Sequence, residues 1–524
     1  MVIDYTQNKE GVDISFVNEK NQIEIITAPL KYGYYKYVAC ESYDSGIIPN
    51  LRSFKNNSLI KREPTKYFNK HNINEFFNYE LKNEFPDIYE KISKLVMPLP
   101  YSVDIETEIT DEFGYSSAEK AENRILSISF TDINLNSIFF AVKNPNQPEF
   151  SDNDLESIKN MVLSSLGDFK NKYDFDFKIR VFDTEVEMLN VFLECINNYF
   201  HSIIGWNFVT FDWVYIFNRC KNLGIDIKKA SPKFKTITKK FTLKDESEIS
   251  VNFPMHRIII DYMQLFKDSL IYNSLDSYAL SNVSNLILGL NKVMYDGNLR
   301  TLYNQNYNKF VAYGLIDTIL VMLLHKATNL YDVDFFESYF NGIPYLKISQ
   351  NSISEALIYN ELRNKNIFLL ESEFNNVVKR NYQGGYVKPP TKKIIDFGSG
   401  LDFSGLYPNS MITNGISPEK KVDFIKMNTD IGRPLNIVEE QKWKEYKKLG
   451  YTLGPRGQVY DTNEDGVFVR VEKKLIAQRK IFKGHSEFCY LQIIPKLEKL
   501  IQEKVTNNKY NKNEQRNSSS MFKS

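Results

Sequence analysis

Cysteine is scarce in this sequence of 524 residues: Cys40, Cys195, Cys220 and Cys489 lie far apart and without metal-ligand spacing. That argues against a disulfide framework and against a zinc site. No run of 18 uninterrupted apolar residues occurs, so the sequence offers no candidate membrane span. The opening Met1-Val2-Ile3-Asp4-Tyr5 lacks the basic-then-apolar layout of a secretory signal, and a cytoplasmic protein is expected. An excess of either charge is missing too: 66 Lys and Arg against 65 Asp and Glu leave a formal net charge of +1. Net charge alone therefore names no polyanionic partner. What is present is an ordinary globular make-up, 42% apolar and 14% aromatic, which excludes disorder as a description of the whole. The length predicts three or four domains.

The charge is unevenly spread. From Arg470 to Ser524 there are 13 Lys and Arg against 5 Asp and Glu, so a basic end sits on a mildly acidic body. Such an end points weakly to a phosphate ligand and is equally a solvated basic tail. Residues 1–97 mix short alternating runs with Lys/Asn-rich connections and predict a small α/β or mainly β domain. Met97-Pro98-Leu99-Pro100 predicts a linker, because paired prolines oppose both helix and central strand. Strands are expected at Tyr101–Glu106, Arg124–Phe130, Ser137–Val142, 178–182 and His201–Asn207. Helices are expected near 153–166, 184–199, 211–223 and 307–330. Strands first and helices interleaved later suggest a mixed sheet with helices around it. Phe234–Phe253 alternates and turns at Lys244-Asp245-Glu246-Ser247, which predicts an extended β-hairpin.

Three elements carry candidate metal chemistry. Asp104 and Glu106 stand two apart in a strand, so both carboxylates share one face while Val103 and Ile105 share the other. Close carboxylates repel unless a cation sits between them, and hard oxygen donors suit Mg²⁺ or Mn²⁺. Alone, such a pair more often marks a solvated strand edge. Asp212 follows Gly205-Trp206-Asn207-Phe208 in the first turn of a helix, where a carboxylate serves a ligand or the helix end equally well. Tyr313 and Asp317 are four apart on one helix face, so a phenol beside a carboxylate could orient a water.

Together these elements resemble the three exonuclease motifs of the 3′–5′ proofreading domains of DNA polymerases. Their order agrees, and the gaps of 108 and 105 residues between successive aspartates fit the phage-type members. The resemblance implies phosphodiester hydrolysis with two divalent ions per active site, Mg²⁺ or Mn²⁺, held by Asp104, Glu106, Asp212 and Asp317, with Tyr313 as a further catalytic residue.

Gly400-Leu401-Asp402-Phe403-Ser404-Gly405-Leu406-Tyr407-Pro408-Asn409 resembles motif A of family B DNA polymerases. The match implies a catalytic, metal-holding Asp402 and a nucleotide-binding turn of Ser404, Gly405, Leu406 and Tyr407, its backbone N–H groups facing a triphosphate. Gly405 and Asn409 depart from the serines usual in the family. Tyr382-Gln383-Gly384-Gly385-Tyr386-Val387-Lys388 resembles the Tyr-x-Gly-Gly element of the family. It implies DNA contacts by Tyr382, Gly384, Gly385, Tyr386 and Lys388. Arg479 and Lys483, four apart on an expected helix, match the start of the fingers, where such residues bind the incoming nucleotide. Tyr460-Asp461-Thr462-Asn463 superficially resembles motif C, but it lacks the second aspartate and precedes the fingers; with Gly454-Pro455-Arg456-Gly457 upstream it predicts a hairpin.

After Lys483 neither motif B nor motif C occurs, Pro495 interrupts the helix, and Asn507–Ser524 is a polar run expected to be disordered. The chain is thus similar to the N-terminal part of the family B polymerases of T-even-like tailed bacteriophages. The resemblance implies an α/β multidomain protein. An N-terminal α/β domain would occupy 1–97 with a return segment at 330–371, and an RNase H-like 3′–5′ exonuclease domain 98–329. The N-terminal part of an α+β palm would occupy 372–459 and that of the helical fingers 460–524, with the thumb absent. It also implies that the hairpin near 234–253 helps pass a primer end between two active sites. The expected function is the N-terminal subunit of a split replicative DNA polymerase, at work in the cytoplasm of an infected bacterial cell. Primer-template DNA, dNTP and a C-terminal subunit with motifs B and C and the thumb are its implied partners, with a sliding clamp reached through that subunit and no membrane. A stand-alone exonuclease with a vestigial palm and a non-catalytic nucleic-acid-binding subunit are the alternatives.

Overall fold

The computed structural model describes residues 1–370, apart from 42–43, 45–46, 55–56, 69, 148, 243–247 and 296, together with 389, 399–425, 437–454, 457–488 and 496. The Tyr-x-Gly-Gly segment at 382–388, the hairpin turn at 244–247, Pro495 and the polar end lie outside these residues. Two compact units form: Met1–Lys36 with Pro64–Ile353, and Tyr37–Glu63 with Ser354–Ser524.

The first unit begins with an antiparallel sheet of β1 (Val2–Gln7), β2 (Val12–Val17) and β3 (Ile23–Ala28), with β2 central and buried throughout. Its main feature is a mixed six-stranded sheet. In chain order the strands are β4 (Tyr101–Thr107), β5 (Ile125–Thr131), β6 (Asn136–Val142), β7 (Asp176–Phe182), β8 (Ser202–Gly205) and, after a hairpin, β11 (Ile258–Asp261). Across the sheet they run β7-β6-β5-β4-β8-β11. β4, β5 and β6 pair antiparallel, whereas β6–β7, β4–β8 and β8–β11 pair parallel. β8 stops two residues short of the expected Asn207, because Asn207 takes a left-handed φ of 62° and turns the chain toward the next helix.

Period-two alternation sorts β4 between two cores. Val103 and Ile105 join Ile128, Phe130 and Phe140 beneath α2 (Glu185–Asn198), which supplies Phe192, and α3 (Asp212–Asn222), which supplies Trp213. On the other face lie α1 (Asp152–Ser165) and α4 (Tyr307–Thr328). α4 is apolar nearly all round because it is surrounded: Phe310, Val311, Leu315, Ile319 and Leu323 are fully buried. By length and hydropathy it could cross a membrane, alone among the described helices, yet it is the core helix of this unit. The hairpin is β9 (Thr236–Thr242) paired antiparallel with β10 (Glu248–Pro254). Its stem is fixed to α3, with Trp213 Nε1 donating to the Asn252 carbonyl at 3.1 Å.

In the second unit, Ile367–Phe368 pairs parallel with Ile47–Ser53, which also pairs with Leu59–Pro64. Further on come α5 (Leu406–Asn414), β12 (Lys421–Phe424), β13 (Tyr451–Leu453), β14 (Gln458–Asp461) and α6 (Val467–Phe488). The three strands form a small antiparallel sheet with β14 central. Tyr460 and Asp461 lie on β14, paired with Thr452 and Tyr451, which makes them strand residues of a hairpin.

Candidate active site

Two surfaces converge on the α4 side of the sheet. β4 presents Asp104 and Glu106 there, and the residues directly opposite on β5 are Ser129 and Ser127. Facing residues of paired strands share a sheet face, so small hydroxyl side chains flank the carboxylates and leave room above them. α4 crosses this face closely. A Cβ added to Gly314 would stand 2.9 Å from Ser129 Oγ and 3.0 Å from Phe139 Cε2, so only glycine admits the approach. One turn on, the Thr318 hydroxyl hydrogen-bonds that of Thr131 on β5 at 2.8 Å and fixes the helix in register. The neighbouring Asp317 is thereby brought to the two strand carboxylates. One carboxylate oxygen from each of Asp104, Glu106 and Asp317 lies within 4.8 Å of the other two.

Asp212, in the first turn of α3, reaches the same strand from behind: its Oδ1 accepts from the Ile105 backbone N–H at 3.3 Å. A nearby acid, Asp261, has a structural task instead, accepting from the backbone N–H groups of Asn207 at 3.1 Å and Gln264 at 3.3 Å.

So many acids so close together cannot all ionise freely. Burial, then the charge of Asp317, pushes Asp104 up to about 7, with Lys292 partly offsetting the rise. Burial and then Asp104 hold both Glu106 and Asp212 well above the ordinary carboxylate range. Asp317 is raised by burial as well, although the adjacent ammonium opposes this. That ammonium belongs to Lys292, whose Nζ donates to Asp317 Oδ2 at 2.5 Å. Burial works against the Lys292 charge, but Asp317, Asp104 and Glu106 together hold its pKa above the usual value. The same Nζ lies 5.4 Å from the centre of the Tyr313 ring, and Tyr295 packs edge-on against that ring at 5.3 Å.

Asp317 Oδ1 is buried without a hydrogen-bond partner. An orphaned carboxylate oxygen among like charges is an acceptor lacking its donor, and a divalent cation bound to its lone pair supplies what is missing. The donor set therefore fits a hard divalent metal.

Residues 52–283 match the family described as DNA polymerase family B, exonuclease domain. This stretch of the chain is thus similar to a family B exonuclease domain. Over 309 residues it is 28% identical to the DNA-directed DNA polymerase of Escherichia phage RB69, covering 58% of this chain and 33% of that protein. The corresponding figures for the DNA-directed DNA polymerase of Enterobacteria phage T4 are 26% over 310 residues, 58% and 33%. DNA polymerase 1 of Pyrococcus abyssi is 25% identical over 235 residues, 41% of this chain and 28% of that protein. The chain thus spans about a third of the length of the phage relatives it matches.

Of the four carboxylates expected from the sequence, Asp104, Glu106 and Asp317 lie together, with Tyr313 one turn before Asp317 on α4, whereas Asp212 stands outside that trio and is tied to the Ile105 backbone of the same strand. Lys292 was missed: it stands alone after Gly289-Leu290-Asn291, and no periodicity or motif marks a single lysine there. The residues that resemble motif A fall in the second unit. Asp402 and Ser404 are exposed, as are Leu406 at 53% and Tyr407 at 77%. Gly405 adopts φ +64° as the residue before α5, which gives a backbone reason for glycine where the family usually has serine. Asn409 is engaged locally, its amide donating to the Ser404 carbonyl at 3.0 Å. Arg479 and Lys483 are exposed one turn apart on α6. Among the described residues, Asp402 joins no group of three or more metal-ligating side chains.

Proposed function

We propose that this chain is the N-terminal subunit of a split replicative DNA polymerase, carrying a complete 3′–5′ proofreading exonuclease and only the motif-A part of the polymerase site. The observation that carries the nuclease reading is the trio Asp104, Glu106 and Asp317, with its orphaned buried oxygen. Asp104, Glu106, Asp212 and Asp317 would hold up to two Mg²⁺ or Mn²⁺ ions. Bound there, such ions supply an activated water and stabilise the departing 3′ oxygen. The chain's own groups do the rest. Tyr313, kept a neutral phenol by burial and then by the nearby carboxylates, orients the attacking water. Lys292 works against burial to favour the ionised form of Asp317 and offers positive charge to the scissile phosphate.

In the second unit, Asp402 would hold a metal at the polymerase site, while the turn from Ser404 to Tyr407, with Arg479 and Lys483, would receive dNTP. The Tyr382–Lys388 segment would contact primer-template DNA. A two-metal polymerase site needs further acidic ligands, and Asp402 belongs to no group of three or more metal-ligating side chains among the described residues. A C-terminal chain is accordingly proposed to bring motifs B and C and the thumb, to link the assembly to a sliding clamp, and to act with it in the cytoplasm of an infected bacterium.

A 5′-labelled single strand with Mg²⁺ tests both parts. The isolated chain should shorten it from the 3′ end, and Asp104→Ala should abolish this. On a primed template with dNTP it should add nothing until the second chain is supplied. Primer extension by the isolated chain would refute the split arrangement.

A further inference from the structure

The nuclease reading leaves one strongly charged segment of the first unit without a task. Ile227–Lys240 contains Lys228, Lys229, Lys233, Lys235, Lys239 and Lys240 and no acidic residue. Some of these ammoniums are engaged: Lys229 donates to Asn190 Oδ1 at 2.6 Å, and Lys240 pairs with Glu248 at 3.1 Å. Lys239 lies 4.7 Å from the centre of the Phe253 ring. Lys233 has only a long contact of 3.9 Å to Asp13, and Lys235 has no ion pair among the described residues. Between these two stands Phe234, 63% exposed and with φ at +50°.

A bulky side chain at positive φ is a backbone outlier that persists only where its surroundings fix it. Here they do. The Phe234 backbone N–H donates to the Ser231 carbonyl at 3.0 Å, and that of Lys235 to Ser231 Oγ at 3.4 Å. Ser231 is fully buried and its hydroxyl donates to the Met255 carbonyl at 3.2 Å. The Met255 N–H closes the ring of contacts on the Lys235 carbonyl at 3.0 Å. The fold therefore holds an aromatic ring in water, in a conformation glycine would adopt more easily, with a lysine on each side. A merely solvated basic stretch explains the lysines but not the ring.

We propose that Lys233-Phe234-Lys235 is a single-stranded DNA contact, in which a base stacks on Phe234 and the flanking phosphates meet the two lysines. This rests on the nuclease reading for the identity of the polyanion. Stacking on an exposed ring between cations is how single strands are held without sequence preference. The placement suits the task, since the hairpin that follows is fixed through Trp213 to α3, the helix whose first turn bears Asp212.

Fluorescence anisotropy of a 5′-fluorescein oligothymidylate on the full chain, in EDTA so that nothing is cut, tests the contact. Phe234→Gly suits the left-handed backbone, so its Tm should equal or exceed that of the wild type while affinity falls roughly ten-fold. Phe234→Trp should keep wild-type affinity. Lys233→Ala with Lys235→Ala should flatten the dependence of log K on log salt by roughly 0.7 per lysine. Unchanged affinity in Phe234→Gly, an equal loss in Phe234→Trp, or an unchanged salt slope overturns the contact. A wild type that cuts single strands while these variants bind normally loses the contact and keeps the nuclease. A wild type that cuts nothing, while Phe234→Gly still binds less, loses the nuclease and keeps the contact.

Discussion

The carboxylate site on β4 and α4 and the segment around Asp402 each place aspartate where a metal could be held, and they differ in what surrounds it. Asp317 is 3% exposed, sits with Asp104 and Glu106, and is paired with an internal lysine. Asp402 lies between Leu401 at 93% and Phe403 at 72% exposure, and it joins no group of three or more metal-ligating side chains among the described residues. The first site is built by a sheet and a helix that pack for their own stability and converge their acids as a consequence. The second presents its motif as an open segment before a short helix. A carboxylate becomes a metal site through the charges gathered round it, and only one of the two regions has gathered them.

The sharpest way to break the comparison is to delete one acid from each region. Asp317→Ala should lower nuclease activity about a thousand-fold or more, equivalent to ~4 kcal/mol of barrier, whereas Asp402→Ala should leave it unchanged. Release of 3′ nucleotides from a labelled single strand measures both, and a comparable loss in Asp402→Ala would end the distinction. Lys292→Met should come next, at roughly a hundred-fold. Without the ammonium the pKa of Asp317 rises, so the acid limb of the pH–rate profile should move to higher pH. An unmoved limb would deny Lys292 that role.

Stability supplies a third contrast. Asp104 has its folded pKa raised from 3.8 to about 7 without metal. The protonated form therefore favours folding at low pH, and that contribution is lost as pH rises through about 7. Metal-free protein should lose stability across this window. Saturating Mn²⁺ should restore it, by about 2.7 kcal/mol at a hundred times Kd, and Asp104→Ala should weaken this response. Thermal melts at several pH values with and without metal read all three.

How far the site is legible in the sequence follows from the same contrast. The alternation Tyr-Ser-Val-Asp-Ile-Glu announces a strand with two acids on one face, and β4 has that form. The helix expected over 307–330 is observed as Tyr307–Thr328, ended by Asn329 at φ +52°. Lys292 could not be read, because its partner is 25 residues away and nothing local distinguishes it from a surface lysine. Nor could Ser127 and Ser129 be assigned, since their importance lies in which strand residues they face.

Two glycine substitutions sharpen the comparison at smaller scale. Gly314→Ala forces a methyl against Ser129 and Phe139, should cost about 1–3 kcal/mol, and should reduce nuclease activity by shifting α4 and with it Asp317. In the second unit, Gly405→Ser places a side chain at φ +64° and should cost about 1 kcal/mol with no effect on the nuclease. Thermal denaturation with parallel nuclease assays separates the two, and an unaltered melt for Gly314→Ala would mean that α4 is not pressed on the sheet.

The order of residues alone determined which side chains could act. Carboxylates two apart on a strand, one in a helix's first turn and one a turn beyond a tyrosine are properties of local periodicity. Only the tertiary structure decided that β4 and α4 bring three of those acids together with Asp212 tied to the same strand, that a lysine from an unmarked loop offsets their charge, and that Asp402 joins no such group among the described residues. Local periodicity sets the face on which a side chain lies, whereas the pKa, the missing hydrogen-bond partner and the capacity for metal depend on groups about a hundred residues apart in sequence that only packing makes neighbours.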